Sequence, residues 1–340
     1  MSSVSETKRQ ASLRQRGISL VELMVAMVIG LVLIAGVIKI FASNKQGYRT
    51  HEALSRIQEN GRYAMEIMAR NIRMAGFMGC GNLDTIEPNV IANNPPSGGL
   101  DASTAVRGYE YDGSNWSPSF NGTAPTGVVA GTDVITVSRG GDCGAYLVGN
   151  MLVDNANIQL NPDNTCNFQA GDVVIISDCV STDIFRATSV SLGASKITIA
   201  HTNSQNTTNR LSKAYNTDAR IYKYTAYDYY IKENAANEPT LYVRENGVEP
   251  GSELVEGVEN LQFEYGSDTD GDRSADSYAA ADSVADWSEI ASVRADITLR
   301  SLNDNVAVSS KTYIYDGANV TNKRLRKDMA STIGLRNRIP

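Results

Sequence analysis

At 340 residues the chain has room for one large domain or two ordinary ones, and 42% hydrophobic against 20% charged residues excludes a disordered chain. A net charge of −7 argues against nucleic acid as the main partner. Two isolated histidines, His51 and His201, argue against a His-based metal site or catalytic triad and read as exposed or hydrogen-bonded structural residues.

Residues 1–17 are polar and basic, with Lys8, Arg9, Arg14 and Arg16 set against Glu6 alone. An apolar run begins abruptly at Ile18 and continues to Ile38, before Lys39. As a helix it would span about 32 Å, enough for a bilayer core. The basic flank predicts a cytoplasmic N-terminus and a C-terminal bulk on the far side. One carboxylate, Glu22, interrupts the run. In hydrocarbon a charge of this kind costs at least ~2.5–3.5 kcal/mol, so a compensating partner is expected. Ala26, Gly30 and Gly36 would allow close helix approach or serve as bend points.

A secretory signal peptide places its cleavage site after the apolar stretch. Here the abrupt junction, Gly17–Ile18, precedes it. A basic leader ending in glycine, then an apolar residue, then a glutamate at the fifth position of an unbroken apolar helix resembles the prepilin signal of type IV pilins and type II secretion pseudopilins. The resemblance implies that a membrane prepilin peptidase cuts after Gly17 and methylates the new amine of Ile18. It also implies that Glu22 neutralises the Ile18 amine of a neighbouring subunit, which sets the axial register. Ile18 departs from the phenylalanine more common at that position. The alternative is an ordinary signal anchor whose Glu22 snorkels to the interface.

Residues 41–79 read as the same helix continued into water. Leu54, Ile57, Gly61, Ala64, Met68, Ile72 and Ala75 recur at spacings of three and four, a seam suited to packing on a sheet. Gly76 and Gly79 are candidate C-caps. From residue 80 to 340 the pattern is strand-rich, and 81–130 is dominated by Gly, Asn, Pro and Ser. Strands are predicted at 133–138, 172–177, 196–200, 220–231, 240–244, 259–265, 291–301 and 311–315. Residues from about 90 to 215 read as an elaborated insertion.

That insertion holds three of the four cysteines, Cys143, Cys166 and Cys179, with Cys80 before it. No pair forms CxxC, so zinc ribbons and thioredoxin-type motifs are excluded. An even count behind an exported segment suggests disulfides. Four cysteines allow three pairings. Cys166 and Cys179 flank a predicted strand, which favours Cys143–Cys166 with Cys80–Cys179; the pairing stays open, with free buried thiols as the alternative.

In "DTDGDRSAD", Asp268, Asp270, Asp272 and Asp276 take positions 1, 3, 5 and 9 of a tight loop, a spacing that lets oxygens converge on a structural Ca²⁺. Arg273 and Ala279 depart from the Gly and Glu of an EF-hand. A solvated acidic turn is the alternative. No nucleophile elbow, zinc-protease, phosphate-loop or dinucleotide motif is present, so no catalytic residue is assigned and no cofactor is required. The basic stretch Lys323, Arg324, Arg326, Lys327, Arg336 and Arg338 is read as salt-bridging to a sheet edge.

Residues 241–278 and 324–340, with shorter islands at 75–81 and 176–189, resemble minor pilins of the PilW type. The resemblance implies an α+β, type IV pilin-like fold: a long N-terminal helix, its first half transmembrane, packed on an antiparallel sheet. It also implies a single-pass inner-membrane protein with a periplasmic domain, later incorporated into an extracellular pilus near its tip. Its partners would be the prepilin peptidase, the inner-membrane assembly platform, other minor pilins, the major pilin and a tip adhesin, and its role to prime pilus assembly. A minor pseudopilin of type II secretion is the nearest rival. A signal-anchored periplasmic enzyme or binding module is the rival from another class.

Overall fold

The computed structural model describes residues 17–337. The leader residues 1–16 and residues 338–340, which include the basic Arg338, lie outside the described residues. One helix, Leu20–Arg73, opens the described chain, and strands and turns follow it. The chain divides into two units, Met1–His51 and Glu52–Pro340.

In the first unit the helix finds no protein to cover it. Leu20, Met27, Leu31, Ile34 and Ile38 are all more than half exposed. The helix is long and apolar enough to cross a membrane.

In the second unit the same helix turns one stripe inward. Ile57, Gly61, Ala64, Met68 and Ile72 are buried, and Leu54 is partly so. They join a core with Leu261, Phe263, Val293, Ile297 and Ile333. Gly61 marks the closest approach: a Cβ there would stand 3.0 Å from Leu299 Cδ1 and run into the Met329 side chain. The helix ends at Arg73, earlier than the expected 79. Gly76 adopts a left-handed φ of 74° and donates its N–H to Ser138 O at 2.9 Å, so the chain turns into the sheet there. The Asn337 amide donates to the Met74 and Ala75 carbonyls, satisfying acceptors just past the helix end.

Two sheets receive this helix. A four-stranded antiparallel sheet runs Ser277–Ala279, Val258–Ser267, Ile290–Arg300, Arg326–Gly334 in spatial order. Leu261, Phe263 and Tyr265 face inward, as their period-two alternation predicts. The other sheet has nine strands, with Arg220–Glu233 as its spine. That strand pairs with Thr132–Tyr146 on one side. On the other side it pairs first with Val173–Ser177 and then with Pro239–Glu245.

The stretch 90–215 is threaded into this large sheet. It supplies Val106–Tyr111, Trp116–Ser117, Thr132–Tyr146, Val173–Ser177 and Thr182–Arg186. It also forms the three-stranded sheet of Ile158–Leu160, Ser189–Leu192 and Ile197–Ala200. Val173–Ser177 is buried on both faces. Val174 and Ile176 pack with Phe185, Ile199 and Ile221. Val173 and Ile175 pack with Met78, Leu83 and Leu100 on the other side. A strand covered on both faces reads as an unbroken apolar run, which "VVII" is.

The loop-rich reading of 81–130 misses Val106–Tyr111, whose Arg107, Gly108 and Glu110 hide its alternation. Arg326–Gly334, expected only as a basic stretch, is an edge strand. Its Arg, Lys and Asp residues suit an edge and disguise it as a tail.

Candidate assembly segment and acidic loop

The helix begins with a reciprocal cap. Ser19 Oγ accepts the Glu22 N–H at 3.1 Å, and Glu22 Oε2 accepts the Ser19 N–H at 3.1 Å. This is a capping box, and its signal, Ser followed three residues later by Glu, stands in "SLVE". The box holds the Glu22 carboxylate at the helix N-terminus, where the unpaired N–H groups carry positive partial charge. Part of the compensation this carboxylate needs therefore comes from its own helix. Gly17 and Ile18 precede the cap; Ile18 is 75% exposed and nothing crowds Gly17.

The acidic loop joins Val258–Ser267 to Ser277–Ala279. Asp268 accepts the N–H groups of Gly271 and Arg273, at 2.8 and 2.7 Å. Asp276 accepts both the N–H and the hydroxyl of Thr269, which hold its pKa below the usual carboxylate range. Oxygens of Asp268, Asp270 and Asp276 lie within 4.8 Å of one another. Asp272 is not in that group; its carboxylate accepts the Ser274 N–H at 2.8 Å. Arg273, in the place where an EF-hand has glycine, nevertheless takes a left-handed φ of 71°. The loop thus closes through its own Asx-type hydrogen bonds.

The cysteines pair as Cys80–Cys179 and Cys143–Cys166, with Cα–Cα distances of 5.0 Å in both. The first ties the helix exit to the turn after Val173–Ser177. The basic residues Arg324 and Arg326 do meet acidic partners at the strand ends. Arg324 pairs with Glu238 at 3.0 Å, Arg326 with Glu259 at 2.6 Å, and Arg300 bridges both carboxylates. His201 is buried and its Nε2 lies 3.0 Å from Ala156 O, a structural role.

Residues 12–38 match the prokaryotic N-terminal methylation motif. Residues 228–337 match the type IV pilus-assembly protein W family. The chain carries a PilW domain behind a prepilin-type methylation motif. The PilW match takes in the second half of the Arg220–Glu233 spine, the hairpin after it and the whole four-stranded sheet. Among solved structures, a type IV-like pilin from Thermus thermophilus aligns at 7% identity and a TM-score of 0.33, over 84% of this chain and 98% of its own. No curated protein sequence matches the chain.

Proposed function

We propose that the chain is a minor type IV pilin, a structural subunit that primes pilus assembly with other minor pilins and carries no catalytic function. The prepilin peptidase removes residues 1–17 and methylates Ile18. The segment 18–40 anchors the subunit in the inner membrane, with the strand-rich domain on the periplasmic side, and then packs into the filament near its tip. Glu22 there meets the Ile18 amine of an adjoining subunit. The major pilin, the assembly platform and a tip adhesin complete the set of partners.

One observation carries this reading. The methylation motif lies over a helix whose apolar surface from Ile18 to Phe41 is bare, with a single carboxylate pinned at its first turn. Two grooves flank the helix farther on, and both are walled by the exposed Gln58, Arg62 and Glu66, which suits contact better than keeping water from a reaction.

The test is the N-terminal sequence and intact mass of membrane-extracted protein, with and without the peptidase. A chain starting at Ile18 with one added methyl is expected. Retention of residues 1–17 in both backgrounds would overturn the reading in favour of a signal-anchored protein. For the acidic loop, added CaCl₂ should raise Tm if the three converging carboxylates hold the ion, and Asp268→Asn should abolish the rise. No rise would leave a self-closed turn.

A further inference from the structure

A pair of carboxyl groups lies where the nine-stranded sheet meets the four-stranded sheet. Glu110 and Asp133 are directly opposed across the Val106–Tyr111 and Thr132–Tyr146 strands. Cross-strand partners point to the same face, so the two carboxyls share one small space. Asp133 is only 3% exposed. Each acid reaches across to the PilW region. Asp133 Oδ2 accepts the Phe263 N–H at 2.7 Å, and Glu110 Oε1 accepts the Ala281 N–H at 3.0 Å. Gln262 adds a bond to Gly131 O at 2.9 Å.

Among the described residues, neither acid is paired with a cation. Asp282, beside Ala281, adds a third negative charge. Tyr265 is fully buried, and its hydroxyl has no hydrogen-bond partner. Tyr109, on the same strand as Glu110, is buried as well. Arg107 stacks over Trp287, 5.1 Å from the ring centre, and lies near Tyr109 rather than in an ion pair. A buried and a half-buried carboxylate on directly opposed residues repel each other when both ionise.

We propose that Glu110 and Asp133 form a proton-held latch between the two sheets, closed while the pair shares a proton and loosened when both acids ionise. The shared proton lets one carboxyl donate to the other, while Asp133 keeps an oxygen for the Phe263 N–H of the opposite sheet and Glu110 one for the Ala281 N–H in the turn beside that sheet. Loss of that proton turns donation into repulsion at the one place where both sheets depend on these side chains. Burial, with the nearby Glu110 charge second, pushes the pKa of Asp133 up to about 8. Burial raises Glu110 also. The PilW-region sheet is therefore held most firmly in acid and released on the alkaline side. The direction follows from linkage. A folded-state pKa above the unfolded value gives stability that is whole below about pH 4 and lost as pH rises through the folded value.

Hydrogen exchange of the full chain in detergent, followed by mass spectrometry from pH 5 to 9 and corrected for intrinsic rates, tests the latch. Opening of segments 258–267 and 279–283 should increase at least tenfold between pH 6 and 9. Asp133→Asn, whose amide donates to Glu110 as the protonated acid does, should remove most of that rise. Glu110→Gln, which removes the neighbouring charge but leaves Asp133 buried, should shrink the rise without abolishing it, and serves if the first variant does not fold. A wild-type profile flat with pH, or a rise undiminished in either folded variant, would overturn the proposal.

Discussion

Single residues carry more of this protein's behaviour than their number suggests. Ser19 is one. Its hydroxyl caps the helix that carries Glu22, so Ser19→Ala should cost about 1 kcal/mol of local helix stability. The expected sign is loss of amide protection at Glu22 in micelles, with Ser19→Thr restoring it. Arg244 is another. It is 2% exposed, pairs with Asp228 at 2.6 Å and Glu249 at 3.1 Å, and also donates to the Thr123 carbonyl. Burial raises the pKa of Asp228, and the Arg244 charge is the largest of the influences opposing that rise. Arg244→Met should therefore destabilise the fold by about 3–5 kcal/mol, because a buried carboxylate loses its cation. Adding Asp228→Asn should recover part of the loss, and a double-mutant cycle by denaturant unfolding measures how much.

At the level of elements, the two disulfides do different work. Cys143–Cys166 closes a separation of 23 residues and Cys80–Cys179 one of 99. In the chain-entropy model, the shorter loop is worth about 3 kcal/mol and the longer nearly 5. Replacing Cys80 and Cys179 by serine should thus lower the unfolding midpoint more than replacing Cys143 and Cys166. Equal losses would show that local packing rather than loop closure decides. The long bridge also joins two elements far apart in the chain, the helix exit and an interior hairpin. Strand prediction succeeds where alternation is clean, as in Val258–Ser267 and Ile290–Arg300. It fails at Val106–Tyr111 and Arg326–Gly334, where charged residues occupy positions that become a seam and an edge.

For the whole molecule, the division at His51 has a functional counterpart. On the proposed pairing, Glu22→Ala removes one partner of a buried charge pair, a change that costs about 2–5 kcal/mol at interfaces. Recovery of the subunit in sheared filaments should fall more than tenfold. Thermal unfolding of the strand-rich unit should stay as it is, because Glu22 lies in the other unit and makes no contribution to its core. A shift in that unfolding would show that the variant acts through folding instead.

Much of this protein is written locally. The Gly17–Ile18 junction, the bare apolar helix with Glu22, the buried stripe from Ile57 to Ile72 and the alternating strands all depend on residues within a few positions of one another. Spacing of three, four or two is enough to reveal them. The proton-sharing pair is of another kind. Glu110 and Asp133 are separated by a loop and look like two ordinary acids among many. Only strand register sets them opposite each other, and only the packing of a second sheet buries Asp133. The same holds for the cations that meet Glu238 and Glu259. Desolvation and long-range register are properties of the assembled fold, and no local pattern in the chain encodes them.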